Sequence, residues 1–197
     1  RLHYLYPEWI DDRLIDVIAR EDKILKYLDI PLQHCNDKIL KKMNRRGDKK
    51  YLCALLDKLR ERIPGLVLRT SIIAGLPGEG EEEFDELCDF LREQKLLRAG
   101  VFPYSPEEGT RAAKMERVDS DEAARRAERI VDIQSEIIDA WNDERQGDVM
   151  EVLCEGFDGQ SMLFVGRSYA ESPDIDGRIY FSAPRDVAAG EFVPVRI

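Results

Sequence analysis

The sequence predicts an α/β fold, in which part of an incomplete TIM-like barrel is followed by a small all-β barrel. Strand-like and helix-like segments alternate over the first two-thirds of the 197 residues. Repeated βα units form parallel sheets with right-handed crossovers, either open or curled into a barrel. After Gly147 the pattern changes to short β runs between glycines and prolines, which is typical of a small antiparallel barrel. We therefore expect two domains, residues 1–146 and residues 147–197.

Periodicity places the elements of both domains in order. The predicted strands of the first domain are residues 2–6, 27–32, 66–73 and 99–104. Its predicted helices are residues 11–20, a short helix from Asn36 or Asp37 to near Gly47, one from Asp48 that stops at Pro64, and residues 81–94 and 119–146. The second domain is predicted to contain strands at residues 149–154, 162–168, 177–181 and 191–197.

The charge balance limits the possible partners. The chain carries 30 basic and 40 acidic side chains, a net charge of −10, which argues against non-specific nucleic-acid binding. The acidic surface either suits a basic partner or aids solubility. No apolar run approaches the length of a membrane span, so no membrane partner is expected. The chain starts at Arg1, directly before a predicted strand, which suggests a fragment.

Four scattered cysteines show no C-x-x-C spacing and fit a reducing cytoplasm. Cys53 and Cys88 lie among leucines of predicted helices and are expected to be buried. Cys35 follows a predicted strand tip, where it is either a reactive thiol or another buried one. No metal site is predicted from these residues.

Residues 68–79 join a predicted strand to a predicted helix through a Gly-x-Pro-Gly turn that begins at Gly75. Such a glycine lets a ligand approach the backbone beside a helix N-terminus. In parallel α/β folds this joint lies at the active end of a βα unit. A phosphate-binding loop is excluded, because neither a Lys-Ser/Thr pair nor a G-x-G-x-x-G follows.

Polar and aromatic residues at the predicted strand tips are expected to meet at one mouth. These tip residues are Tyr6, Gln33, His34, the turn from Gly75 to Glu79, and Tyr104. Arg69 and Ser71 alternate with apolar neighbours and are predicted to point into the barrel.

Three of these positions have two interpretations each. An inward Arg69 requires either an anionic ligand or a carboxylate within the barrel. His34 is either a general base or ligand, or a hydrogen-bonded structural histidine. Glu79 either contacts a cofactor amine or caps the next helix. Spacing alone therefore predicts a ligand-binding mouth without a defined chemistry.

Several segments resemble the radical S-adenosylmethionine (SAM) methylthiotransferases. Residues 27–34 (YLDIPLQH) and 37–43 (DKILKKM) resemble the fourth strand and helix of that family, residues 69–79 its fifth strand and loop, and residues 100–110 its sixth strand. The segment after Gly147 is similar to the TRAM domain that ends these enzymes. Within it, GRS at 166–168 and PDIDG at 173–177 resemble the branch that modifies an aspartate of small-subunit ribosomal protein twelve, more than the tRNA-modifying branch.

This resemblance implies SAM as a cofactor and two 4Fe–4S clusters in the full-length protein. It also implies hydrogen abstraction from the aspartate β-carbon, followed by installation of a methylthio group. The C-x-x-x-C-x-x-C motif and the cysteines of the second cluster are absent from this sequence. No metal ligand is therefore assigned, and the chain alone is expected to be inactive. By strand order, the resemblance places SAM contacts at Gln33, His34, Arg69, Ser71, Ile73, Gly75 and Tyr104.

Three functional hypotheses follow. The first is a fragment of an enzyme acting on a basic ribosomal protein, and the second is a fragment of a tRNA methylthiotransferase. Residues 147–197 contain nine acidic side chains and four arginines, a net charge of −5. This charge favours a basic protein substrate over an RNA backbone. The third hypothesis, motivated by the missing cluster motif, is a non-catalytic binding module.

Overall fold

The computed structural model describes residues 1–197 and contains five α-helices and seven β-strands. The helices are α1 (Asp12–Arg20), α2 (Asp37–Lys42), α3 (Lys49–Arg62), α4 (Glu81–Gln94) and α5 (Ser120–Asp143). The strands are β1 (Tyr27–Asp29), β2 (Val67–Ala74), β3 (Arg98–Pro103), β4 (Val149–Asp158), β5 (Leu163–Arg167), β6 (Ile179–Phe181) and β7 (Phe192–Arg196). Short 3₁₀ turns lie at Pro7–Trp9 and Ala112–Lys114.

The first part of the chain is a parallel sheet covered by helices. Its strands lie in the order β1–β2–β3, and both pairings are parallel. Helices α2 and α3 connect β1 to β2, α4 connects β2 to β3, and α5 packs against β2 and β3. The main core, a cluster of 25 buried residues, lies between the sheet and these helices. The predicted α/β class is confirmed, and the three strands form an open sheet.

Polar side chains define where four of the helices begin. The side chains of Asp11, Asn36, Asp48 and Asp119 accept hydrogen bonds from backbone N–H groups two or three residues later. Each such cap contributes about 0.5–2 kcal/mol. Because this capping chemistry is local, the predicted helix starts agree with the structure within one residue. None of the five helices combines the length and the apolar character that a lipid bilayer requires.

Two predicted strands differ from the structure. Residues 2–6 form no strand, because only Leu2 bridges to Leu28 and Tyr4 turns the chain with a φ of 60°. The strand predicted at residues 27–32 narrows to β1, because the pairing with β2 slips by one residue after Ile30. The N–H of Leu32 donates to the Thr70 hydroxyl at 3.1 Å, and the N–H of Gln33 donates to the Ser71 carbonyl at 2.8 Å. The pairing resumes as a single bridge between Gln33 and Ile72.

The last part of the chain is all-β, as predicted, and forms a curled antiparallel sheet in the order β6–β5–β4–β7. The edge strands β6 and β7 do not pair with each other, so the small barrel predicted for this part is a half-barrel. Its own small core contains Val152, Cys154, Phe181, Val187, Val193 and Val195.

Buried polar contacts join this β module to the parallel sheet. The hydroxyl of the fully buried Tyr27 donates to Asp176 at 2.6 Å. Arg98 pairs with the buried carboxylate of Glu171 at 3.0 Å, and Arg1 donates to the carbonyl of Ser168 at 2.7 Å. These contacts lie at the amino-terminal ends of β1 and β3, away from the strand tips where a ligand was expected.

Candidate functional site

The loop between β2 and α4 is built around the buried side chain of Glu79. Its carboxylate accepts hydrogen bonds from the N–H of Gly75 at 2.9 Å and from Arg126 of α5 at 2.9 Å. Arg126 also donates to the Glu79 carbonyl at 3.0 Å and pairs with Glu122 at 2.9 Å. One carboxylate therefore ties the end of β2 to the start of α4 and to α5.

Burial alone would raise the pKa of Glu79 by disfavouring the charged carboxylate. The contacts with His34, the Gly75 N–H and Arg126 outweigh burial, and the pKa lies below its usual value. Glu79 is therefore ionised at neutral pH. The helix-capping interpretation of Glu79 is wrong, since the N–H of Gly80 at the start of α4 is satisfied by Glu83 at 3.0 Å. A contact between Glu79 and a cofactor amine stays a prediction.

His34 lies beside Glu79 and is fully buried. Its Nδ1 accepts the N–H of Asn36 at 3.0 Å, which leaves the proton of the neutral ring on Nε2. Nε2 approaches a carboxylate oxygen of Glu79 at 3.3 Å, without the alignment of a hydrogen bond. These contacts are all internal and favour the structural histidine over a general base. A SAM contact at His34 stays a prediction.

Gly75 adopts a φ of 81° and is packed tightly against α5. A side chain at this position would place its Cβ 2.4 Å from the Cβ of Ala123. The glycine is thus required by the approach of α5, and its N–H is already bonded to Glu79. Packing against α5 is thus a sufficient reason for the glycine, and a SAM contact at Gly75 stays a prediction.

The other face of the sheet carries the remaining predicted residues of β2. Along this strand Thr70, Ile72 and Ala74 are buried, whereas Arg69, Ser71 and Ile73 are partly exposed. Successive strand residues point to opposite faces, so these last three share the face that helices α3–α5 do not cover. We call this surface, formed by Arg69, Ser71 and Ile73 together with their neighbours Gly100 and Phe102, the open face.

Arg69 pairs with Asp29 of β1 at 3.0 Å, and both side chains are largely buried. Of the two explanations for an inward arginine, the structure therefore supplies the carboxylate partner within the sheet. Asp29 also lies 3.8 Å from His3. Asp29 was missed by the sequence analysis, although its register opposite Arg69 follows once β1 and β2 are aligned in parallel.

Strand β3 extends the open face beside β2. Gly100 lies opposite Ser71, and Phe102, which is 54% exposed, lies opposite Ile73. Because Gly100 has no side chain, the surface between Ser71 and Phe102 is shallow and partly apolar. Phe102 was also missed, and the alternation of residues along β3 was the signal that pointed to it.

Two further predicted residues lie at the end of this face. Gln33 joins β2 through its backbone, with its N–H bonded to the Ser71 carbonyl at 2.8 Å and its carbonyl accepting from Ile73 at 3.0 Å. The backbone N–H of Tyr104 donates to Ala74 at 2.8 Å, and its hydroxyl is buried without a hydrogen-bond partner. The structure thus places Arg69, Ser71 and Ile73 on the open face, with Gln33 and Tyr104 beside the end of β2. Gly75 lies in the loop between β2 and α4, and His34 lies in the connection between β1 and α2.

Two family models match the chain. The Radical SAM superfamily model covers residues 2–91, and the TRAM domain model covers residues 147–197. Over the whole chain, curated relatives named ribosomal protein uS12 methylthiotransferase RimO are 45% identical in Acetivibrio thermocellus, 48% in Pelotomaculum thermopropionicum and 46% in Symbiobacterium thermophilum.

Over its whole length this chain is similar to part of the RimO methylthiotransferases. It spans 44%, 45% and 41% of the lengths of those three relatives, so it corresponds to less than half of each. Coproporphyrinogen III oxidase (HemN) from Escherichia coli, a radical SAM enzyme, is a structural neighbour with a TM-score of 0.50 and 21% identity. The match covers 80% of this chain and 34% of HemN, and it supports the fold alone.

Radical SAM proteins use SAM and 4Fe–4S clusters, and the cysteines of this chain do not fit a cluster. The structure contains no group of three or more His, Cys, Asp or Glu side chains that could hold a metal ion. Cys35, Cys88 and Cys154 are buried separately and Cys53 is half-buried. Burial raises the pKa of Cys35, which supports the second of its two interpretations, a buried and protonated thiol. No cluster chemistry is assigned to these residues.

Proposed function

We propose that this chain is the part of a radical SAM methylthiotransferase that forms one wall of the SAM pocket and carries the TRAM module. The observation that supports this most strongly is 45–48% identity to RimO proteins without a gap in coverage of the chain. The domain limits proposed are residues 1–146 and 147–197, with the change after α5. A ribosomal substrate would place the protein in the cytoplasm.

The reaction proposed replaces a hydrogen on the β-carbon of an aspartate by a methylthio group. Bound SAM supplies the radical that removes this hydrogen, because an unactivated C–H bond offers nothing to an acid or a base. The residues of this chain have a narrower task, which is to hold the adenosyl end of SAM and to keep water from it.

The open face fits such a group. The Phe102 ring and the Ile73 side chain offer apolar surface for a purine. The glycine at position 100 lets the Arg69 guanidinium and the Phe102 ring lie close over the strand, within 3.2 Å of where a Cβ would be. The hydroxyl of Ser71 and the amide of Gln33 supply polar contacts. Tyr104, whose buried hydroxyl has no hydrogen-bond partner, directly follows β3. Arg69 is fixed by Asp29 and retains donors that this single bond does not use.

The substrate proposed is a basic small-subunit ribosomal protein, recognised in part by the β module. Electrostatic attraction supports this choice, since the module carries a net charge of −5. A tRNA substrate is the alternative, and its phosphates would be repelled by the same surface. A non-catalytic module remains the third possibility to be distinguished by experiment.

A chimaera tests the activity. In the Acetivibrio thermocellus relative, the 198 matching residues are replaced by this chain, and the product is incubated with ribosomal protein uS12 and SAM under reducing, oxygen-free conditions. Mass spectrometry should show an aspartate in which one hydrogen is replaced by a methylthio group. Modification of a tRNA instead would favour the alternative substrate. A chimaera that binds SAM and modifies neither would support the non-catalytic module.

A further inference from the structure

A cavity of about 440 Å³ lies at the amino-terminal ends of β2 and β3, away from the strand tips where SAM contacts are predicted. It is bounded by the segment before β2, by the ends of α3 and α4, by the second half of α5, and by Tyr169 of the β module. None of the residues considered for SAM lines it. Its size falls within the range of about 300–1,000 Å³ that is usual for small-molecule sites.

The floor of this cavity is apolar and well packed. Ile63, Leu68 and Ile133 are buried beneath it, and Trp141 of α5 provides an aromatic wall. Arg145 lies over the Trp141 ring at 3.9 Å, which holds the indole in place. An occupant therefore meets a preformed surface suited to an aliphatic or aromatic body.

The two sides of the rim differ in charge. The wall formed by α3 and the end of α4 contributes Arg60, Arg92 and Lys95 and no carboxylate. The opposite side carries both signs, since Glu136 lies in α5, Glu144 caps its C-terminus and Arg145 follows. Lys95 has no carboxylate within 4.0 Å, and Arg92 has only the exposed Asp89 at 3.3 Å.

Arg60 completes this basic wall from a partly buried position. It donates to the side-chain oxygen of Gln94 at 3.0 Å and to the Gln94 carbonyl at the end of α4. Burial lowers the pKa of Arg60, and the nearby Asp57 only partly offsets this. The chain as a whole has a net charge of −10, whereas this wall of the cavity is positively charged.

We propose that this cavity binds a small amphipathic anion, with its carboxylate or phosphate against Arg92 and Lys95 and its apolar body on Ile137 and Trp141. The apolar floor alone would accept a neutral or a cationic body equally well. The basic wall of α3 and α4 favours an anion over both, because a charge next to a low-dielectric surface is screened less than one in open water.

Binding is measured on the whole 197-residue chain by fluorescence titration with 8-anilinonaphthalene-1-sulfonate, an aromatic anion. Decanoate and decyltrimethylammonium, which share a ten-carbon chain and differ in charge, are then used as competitors. We expect one saturable site, with decanoate displacing the dye at a concentration at least about tenfold lower than the cation.

Two variants locate the site. Ala140→Trp fills the cavity from an exposed position of α5, and Arg92→Glu with Lys95→Glu reverses the basic wall. Each should weaken decanoate binding by about tenfold or more.

The matched controls are Ser135→Trp, at an exposed position of the same helix, and Lys41→Glu with Lys50→Glu, two exposed lysines outside the cavity. These should bind decanoate as the unchanged chain does, with the same circular dichroism spectrum. Equal loss in variants and controls, equal affinity for both amphiphiles, or the absence of a saturable site would each overturn the proposal.

Discussion

At the residue scale, Glu79 is a buried and ionised carboxylate, so it needs hydrogen-bond donors around it. Those donors come from Gly75 and from Arg126, which is 47 positions away in the sequence. Sequence reasoning identified Glu79 and the turn around it from local pattern. It assigned no role to Arg126, since a pairing between a loop and a distant helix has no signature in spacing.

Glu79→Gln should destabilise the chain by about 1–3 kcal/mol, because it removes the buried carboxylate partner of Arg126 and leaves the guanidinium only its ion pair with Glu122. Urea unfolding followed by circular dichroism measures the change. Glu82→Gln, at an exposed position in the first turn of α4, is the control and should change stability by less than about 0.5 kcal/mol. Equal effects of the two substitutions would show that the network contributes no more than surface charge.

The same carboxylate predicts a dependence on pH. The pKa of Glu79 is lower in the folded chain than in the unfolded chain, so its contribution is complete above the unfolded value of about 4.3. It is lost as the pH falls through the lower folded value. The stability difference between the unchanged chain and Glu79→Gln should therefore shrink as unfolding is repeated at pH values below about 4.3. A difference that grows on acidification would contradict this assignment.

At the scale of elements, β2 shows what its sequence determined and what it did not. The alternation of polar and apolar residues predicted that Arg69 and Ser71 share a face, and the burial pattern agrees. Helix limits were also predictable, since caps and breakers act locally. The strand predicted at residues 2–6 is wrong for a non-local reason, because a segment forms a strand only where a neighbouring strand supplies a continuous ladder of hydrogen bonds.

Substitutions to valine at two adjacent residues of β2 distinguish its buried face from the open face. Thr70 is buried, and its hydroxyl accepts the N–H of Leu32 at 3.1 Å. Thr70→Val should cost about 1–3 kcal/mol, because that buried N–H loses its acceptor. Ser71→Val on the open face should change the free energy of unfolding by less than about 0.5 kcal/mol.

Urea denaturation of both variants gives the comparison directly. In the chimaera described above, Ser71→Val should nevertheless weaken SAM binding, and Thr70→Val should affect it only through stability. If Ser71→Val proves the more destabilising of the two, the assignment of faces is incorrect.

At the scale of the whole molecule, the two parts of the chain are joined by buried polar pairs whose members are far apart in sequence. Tyr27 and Asp176 are separated by 149 positions, and Arg98 and Glu171 by 73. The sequence predicted a change of architecture near Gly147, because composition changes there. It did not predict this joint, since each partner alone resembles an ordinary strand or loop residue.

Tyr27→Phe should loosen the joint while keeping its packing, because only the hydroxyl that donates to Asp176 is removed. Burial, followed by the bond to Asp176, raises the pKa of Tyr27, so the hydroxyl stays protonated and donating throughout the physiological range. We expect a loss of about 1 kcal/mol, because the Asp176 carboxylate loses the Tyr27 hydroxyl and keeps the hydrogen bond from the Ser172 N–H at 2.7 Å.

Hydrogen exchange distinguishes loosening of this joint from general destabilisation. Amides of residues 172–176 and of β6 should exchange faster in Tyr27→Phe, while those of α3 and α4 keep their rates. Tyr180→Phe is the matched control, because Tyr180 is 52% exposed and its hydroxyl makes no side-chain bond within the chain. Uniform acceleration over all helices and strands would show that the two parts unfold as one unit, and that the Tyr27 hydroxyl stabilises the molecule as a whole.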